Sequence, residues 1–229
     1  MTIDKDRGLQ ASMGRMLTTL EDKVNPLHAA LVVVDIQNDF CAGGGAFDKE
    51  NIDLSMMQAM VPKAVDFISK ARVVGTTVVY IQSSYYAENN WYLSDVWLEQ
   101  HGRKGKGKHI KYPLCERGSW GADFYGGIKP LPGEIVVNKH RYCAFIGTDL
   151  DLILRSKGIR TLIMTGVATD VCVEMTAKIG FLKDYYIVFL EDLTATFSKE
   201  SHNHTLKSID LFYGEVVKSS AVSRCWERK

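Results

Sequence analysis

The chain has 229 residues, 46% hydrophobic and 24% charged, which is enough to bury the core of one α/β domain spanning 1–229. A net charge of +1 gives no reason to expect a nucleic-acid or other polyanionic partner, and no apolar run approaches the roughly 18 residues needed to cross a bilayer. The five cysteines are odd in number, widely spaced and without a CxxC pair, which argues against a disulfide framework and a zinc knuckle. The first thirty residues lack a basic start followed by an apolar core, so the expected setting is cytoplasmic, with no membrane partner.

Taken in order, residues 6–22 carry Leu9, Met13, Met16, Leu17 and Leu20 at amphipathic-helix spacing, ending at Asn25-Pro26. The run from Ala29 to Val34 reads as a central parallel strand, apolar because both faces are covered. It breaks at Asp35-Ile36-Gln37-Asn38-Asp39-Phe40, followed by a glycine run, Gly43–Gly45, that lacks both the GxGxxG pattern and a P-loop lysine. Residues 53–74 read as a helix stopped by Gly75, and Thr77–Ile81 as a second strand. Residues 85–97 hold Tyr85, Tyr86, Trp91, Tyr92 and Trp97, a set suited to a pocket wall, a subunit contact or plain packing. The basic run RKGKGKHIK, 103–111, reads as a solvated loop, with a lid that attracts an anionic substrate as the other option.

A third strand is expected at Glu134–Asn138, with Lys139 at its end, then a helix at Thr148–Lys157 capped by Thr148 and stopped by Gly158. Leu162-Ile163-Met164 is a buried strand that breaks at Thr165-Gly166. A helix resumes after Thr169-Asp170, which suit capping. A short strand at Ile187–Leu190, a helix over 199–212 and a last strand at Glu215–Lys218 complete the chain. The strand–helix alternation predicts one doubly wound, mainly parallel sheet with helices on both faces.

Asp35, Lys139 and Cys172 each follow a strand at the same edge of that sheet, the edge where open α/β folds bind ligands. Cys172 is expected in the first turn of its helix, where free N–H groups and the helix dipole favour thiolate. Individually, Asp35 could cap a turn, Lys139 could be a surface charge and Cys172 could fill core. As a set they form a nucleophile, a carboxylate to take its proton and an ammonium to steady both. The backbone N–H groups of 166–172 could hold the oxyanion of a tetrahedral intermediate.

The segments VVVDIQNDF (32–40), VVNKHRYCAF (136–145) and TGVATDVCVE (165–174) resemble the signature segments of the isochorismatase-like cysteine hydrolases. The resemblance runs from about residue 28 to 220. It implies that Asp35, Lys139 and Cys172 are a catalytic triad, that the Val167–Ala168 peptide is cis, and that the N–H groups of Ala168 and Cys172 form the oxyanion hole. Nicotinamidases of the family carry an Asp-x-His metal motif after the second strand. Here Gln82-Ser83-Ser84-Tyr85-Tyr86 stands there, and His101, His109, His202 and His204 do not restore it, so no metal and no cofactor are expected. His202 is expected at a helix start on the surface. The stretches RGSW (117–120), KHRYCAF (139–145), 150–174 and VFLEDLTA (188–195) are most similar to the family's ureidoacrylate-hydrolysing branch. This implies hydrolysis of a small ureido or carbamoyl compound through an acyl-enzyme on Cys172. Biuret, N-carbamoyl amino acids such as N-carbamoylsarcosine, and nicotinamide are the alternatives within the fold, and an idle ligand-binding member is the alternative outside catalysis. Phe40, Gln82, Trp120, Arg141 and Tyr142 are the expected substrate contacts, with Arg141 either pairing a substrate carboxylate or bracing its loop. A homo-oligomer, dimer or tetramer, is implied as well.

Overall fold

The computed structural model describes residues 16–85, 91–102 and 114–227. The basic run 103–111 and most of the predicted helix over 6–22 lie outside them; of that helix only Leu20–Lys23 is seen, capped by the Thr19 hydroxyl. Six strands form one sheet: β1 (Ala29–Val34), β2 (Thr77–Ser83), β3 (Ile135–Lys139), β4 (Thr161–Val167), β5 (Tyr186–Ala195) and β6 (Glu215–Val217). Their order is β3-β2-β1-β4-β5-β6, with every pairing parallel.

β1 is buried along its whole length because it lies in the middle with a layer on each side. Its side chains alternate, as strand geometry requires. Ala29, Leu31 and Val33 enter one apolar layer, with helix α1 (Ser55–Val73). Ala30, Val32 and Val34 enter the other, with α3 (Leu150–Ser156), α4 (Glu174–Leu182) and α5 (Lys199–Phe212); a further helix, α2 (Asp95–Gly102), precedes β3. The doubly wound expectation therefore holds, and the sheet is fully parallel.

The chain leaves β1 for β2 and β3 on one side, then returns to place β4 against β1 on the other. That reversal opens a crevice beyond the C-terminal ends of β1 and β4. The two strands approach closely at Gly166, whose φ is +120°. A Cβ there would stand 2.0 Å from the Val34 carbonyl oxygen, so only glycine fits.

Several boundaries differ from expectation. β2 runs on through Gln82 and Ser83, and Lys139 is the last residue of β3 rather than the residue after it. β5 continues past Leu190, because an irregularity between Met164 and Gly166 lets extra β5 residues bulge before pairing resumes at Thr194. α3 begins at Leu150 with Asp149 at its cap; the Thr148 hydroxyl accepts the Leu150 N–H at 3.2 Å from one residue further out. Helix α6 (Ser219–Glu227) was not expected. Its Val222 and Trp226 turn inward. The Trp226 ring stacks on Phe67 at 5.1 Å, and its indole N–H donates to the Val24 carbonyl.

Candidate active site

Asp35 follows β1 directly, with φ at +51°, a left-handed conformation that Asp tolerates better than most residues. Its N–H donates to the Ile81 carbonyl of β2, and its own carbonyl accepts the Gln37 N–H at 2.8 Å. This tight turn points the carboxylate across the strand ends. Gln37, fully buried, fastens the turn: its amide nitrogen donates to the Ser83 and Ala122 carbonyls, and its oxygen accepts the Ser83 N–H.

Lys139 reaches in from β3, two strands away. It is fully buried, and its Nζ lies 2.8 Å from Asp35 Oδ2. It also donates to Ser83 Oγ at 2.8 Å and to the Arg141 carbonyl at 3.0 Å, and it stands 3.3 Å from Cys172 Sγ. Tyr85 closes the cluster, its hydroxyl 3.4 Å from Lys139 Nζ and 3.9 Å from the sulfur. The three strand-end residues are thus brought together. Of the residues that hold them, Tyr85 belongs to the aromatic set suited to a pocket wall, whereas Gln37 and Ser83 carry no sequence signal beyond proximity to a strand end.

Cys172 does not sit in the first turn of an α-helix. It lies in a π-helical turn, Thr169–Val173, and α4 starts only at Glu174. Such wide turns are frequent at functional sites. Thr169 and Asp170 do not cap it. The Thr169 hydroxyl pairs with His202 Nδ1 at 2.9 Å, and Asp170 Oδ1 accepts the Thr196 hydroxyl at 2.7 Å. The turn is closed instead by the Ala168 carbonyl, which accepts the N–H groups of Val171 and Val173. His202 is accordingly half-buried against the turn rather than a surface residue. The Val167–Ala168 peptide is cis.

The expected thiolate is not the resting state. Burial pushes the Cys172 thiol up to about 12; Lys139 pulls it down and Asp35 pushes it back. Burial also raises the Asp35 carboxyl above its ordinary value, against the pull of Lys139. Burial alone would lower Lys139, but the Asp35 carboxylate beside it holds it well above the usual lysine range. The cluster therefore rests with a neutral thiol beside the Asp35–Lys139 contact, and the thiol needs a base to react.

This sets a pH dependence. Asp35 accepts a proton only when ionised, and its raised pKa moves the acidic limb of kcat/KM above the ordinary carboxylate value of about 3.9. Below that limb the rate falls about tenfold per pH unit, and no second rise follows it up to about pH 9, because the thiol does not ionise by itself there. A pH–rate profile that climbs with a midpoint near about 8.5 would show a freely titrating thiol and contradict this account.

The cluster lies at the base of a cleft with about 720 Å³ of empty space, open mouth included, lined by Asp35, Cys172, Ala168 and otherwise mainly aromatic and aliphatic side chains. Of the expected substrate contacts, Phe40 and Tyr142 line it. Gln82 does not: its amide donates to the Ala122 carbonyl. Trp120 is 54% exposed away from the cleft, its carbonyl accepting from Asn38. Arg141 braces its loop, donating to the Tyr92 and His140 carbonyls, with its guanidinium over the Trp97 ring at 5.3 Å. Of the aromatic segment, Tyr85 and Trp97 line the cleft, Tyr92 stacks on His140, Trp91 is exposed, and Tyr86 is outside the described residues. Among the described residues no group of three or more His, Cys, Asp or Glu is placed to hold a metal ion.

Against known families, the isochorismatase domain matches residues 29–221. The chain belongs to the isochorismatase family. Ureidoacrylate amidohydrolase RutB of Enterobacter sp. (strain 638) is 35% identical over 201 residues, covering 83% of this chain and 86% of that protein. Among solved structures, N-carbamoylsarcosine amidase from Thermoplasma acidophilum superposes with a TM-score of 0.65 at 28% identity, covering 84% of this chain and 96% of that one. Nicotinamidase PncA from Bacillus subtilis superposes with a TM-score of 0.69 at 27% identity, covering 83% and 99%. By this kinship the isochorismatase-family chain is a hydrolase of carbon–nitrogen bonds in amides. Among its described residues no helix is long and apolar enough to cross a membrane.

Proposed function

We propose that this chain is a metal-independent cysteine amidohydrolase that cleaves a C–N bond of a small ureido or carbamoyl compound through a covalent acyl-enzyme on Cys172. The observation that carries the reading is the contact of Asp35, Lys139 and Cys172 at the base of one cleft, at the point where the strand order reverses. Asp35 takes the thiol proton as sulfur attacks the carbonyl carbon, and the Lys139 ammonium stabilises the emerging thiolate. The N–H groups of Ala168 and Cys172, both cleft-lining residues, hold the oxyanion. Asp35, now a neutral acid, passes its proton to the nitrogen that leaves as ammonia or amine. Water, deprotonated by Asp35, then attacks the S-acyl group and restores the thiol.

Kinship with the RutB protein makes ureidoacrylate the first substrate to try, and kinship with the carbamoylsarcosine and nicotinamide amidases widens the choice. The thiols of Cys41, Cys115, Cys143 and Cys172 are free, which fits the reducing cytoplasm this reading assumes, with a homo-oligomer as the assembly. The test is ammonia release from ureidoacrylate, biuret, N-carbamoylsarcosine and nicotinamide, with mass spectrometry for an adduct on Cys172. Release from one of them with a trapped adduct on the Cys172 peptide is expected. Release with no adduct under any quench, and with Cys172 replaceable, would sink the covalent mechanism. No release, together with a Cys172 no more reactive to iodoacetamide than free cysteine, would favour an idle binding member.

A further inference from the structure

Tyr85 has two ends that face different company. Its ring is buried in the cleft wall, packed on Trp97 at 5.3 Å and edge-on to Tyr142 at 6.5 Å. Its hydroxyl reaches the catalytic cluster, 3.4 Å from Ser83 Oγ, 3.4 Å from Lys139 Nζ and 3.9 Å from Cys172 Sγ. The hydrogens on hand decide what each contact is. An ammonium carries three N–H groups, and Lys139 has five acceptors around it: Asp35 Oδ2 and Ser83 Oγ at 2.8 Å, the Arg141 carbonyl at 3.0 Å, Cys172 Sγ at 3.3 Å and the Tyr85 hydroxyl at 3.4 Å. The three nearest oxygens have first claim on the three hydrogens. The sulfur is left with the field of the ammonium rather than a hydrogen of its own. Ser83 Oγ accepts from Lys139, so its own hydrogen is free to go to the Tyr85 oxygen. The Tyr85 O–H then remains, with the sulfur in reach. Burial holds the phenol well above its ordinary value, so the hydrogen stays on Tyr85 throughout.

From this we infer that Tyr85 is a further catalytic residue: its hydroxyl donates a hydrogen bond to the Cys172 sulfur as the thiolate forms, and Ser83 orients it for the task. This rests on the amidohydrolase reading and gives its nucleophile a donor. No proton changes hands in the contact. The S–H bond breaks toward Asp35, the sulfur electron pair forms the S–C bond, and the Tyr85 O–H stays whole. A neutral thiol accepts hydrogen bonds weakly and a charged sulfur strongly. The contact therefore gains most when the barrier is crossed, which is the condition for raising kcat.

The test is Tyr85→Phe, which deletes the hydroxyl and keeps the ring against Trp97 and Tyr142. Wild type and variant are compared in three ways: thermal melting, the rate of Cys172 alkylation by iodoacetamide near neutral pH followed on its peptide by mass spectrometry, and kcat and KM for each of ureidoacrylate, biuret, N-carbamoylsarcosine and nicotinamide that wild type hydrolyses. Melting should stay close to wild type. Alkylation should slow by about 10- to 100-fold, and kcat should fall by about the same factor with KM little changed, because the lost hydrogen bond is one to a charged group. A residue that only walls the cleft would raise KM and leave alkylation as it was. That result, or a variant that no longer folds, overturns the inference while the amidohydrolase reading stands. Where wild type hydrolyses none of the four, that reading fails on its own account, and the alkylation ratio alone supports or overturns the donor role.

Discussion

Cys172→Ala should abolish hydrolysis and leave the fold standing. The side chain is buried in the wall of the cleft and small, so removing its sulfur costs about 1–2 kcal/mol of stability. Losing the nucleophile lowers kcat by more than about 10⁴-fold, because no other described thiol lines the cleft. Cys41 and Cys115 are fully buried and outside the cleft lining, so they cannot substitute. Steady-state turnover beside thermal melting checks both halves. Near-wild-type turnover would end the covalent reading; an unfolded variant would show that the thiol is held for structure. Cys172→Ser tests the chemistry further. A hydroxyl is a poorer nucleophile when the base is a carboxylate, so the serine variant should also lose most of its activity while melting close to wild type.

Lys139→Met carries the second large effect, and it strikes stability and activity together. The ammonium is wholly buried among Asp35, Ser83 and the Arg141 carbonyl. Methionine fills the space but leaves the Asp35 carboxylate without a counter-charge, a change that costs about 3–5 kcal/mol at neutral pH. Lys139 is also what pulls the Asp35 pKa down, so Asp35 rises further in the variant and takes a proton. A protonated Asp35 cannot accept the thiol proton, and kcat/KM should fall at least about 10³-fold.

The pH sign follows from linkage. In the variant the folded-state pKa of Asp35 lies further above its unfolded value, so the folded state binds a proton that the unfolded state has released. The variant is therefore least handicapped below the unfolded pKa of about 3.9 and loses stability as pH rises through the folded pKa. Urea melts of wild type and variant across pH measure this directly; a deficit that shrinks toward neutral pH would contradict it. Adding Asp35→Asn to Lys139→Met should recover much of the stability and none of the activity, since the uncompensated charge is gone and the base is gone with it. Additive losses in that double variant would mean that the pair is not coupled.

Much of the sheet could be read from local pattern. Ala29–Val34 is six apolar residues in a row, and an uninterrupted run of that kind is stable only as a strand covered on both faces. α1 and α5 follow from apolar residues recurring at helical spacing, and the expected range 199–212 coincides with α5. α6 is hard to read from sequence because its segment is short and largely polar; its place depends on the pocket between Val24 and Phe67, which are distant in sequence. The length of β5 is hidden in the sequence for a related reason. Glu191 and Asp192 look like a strand end, yet a bulge carries the chain past them to pair again with β4.

The site divides along the same line. That Asp35, Lys139 and Cys172 stand at strand ends is legible in the residues alone, because the break in an apolar run is a local event written in adjacent residues. The likeness to the family is carried there too, by three short segments. That the three side chains touch depends on long-range packing, since β3 and β1 do not pair and Lys139 spans the gap from two strands away. So does the protonation of the resting thiol. The dipole and ammonium that argue for thiolate are local, whereas the desolvation that outweighs them is the sum of both layers closing over the strand ends. The same holds for Arg141. Its charge is plain in the sequence, but whether it faces a substrate or its own loop depends on where the Tyr92 carbonyl and the Trp97 ring come to lie.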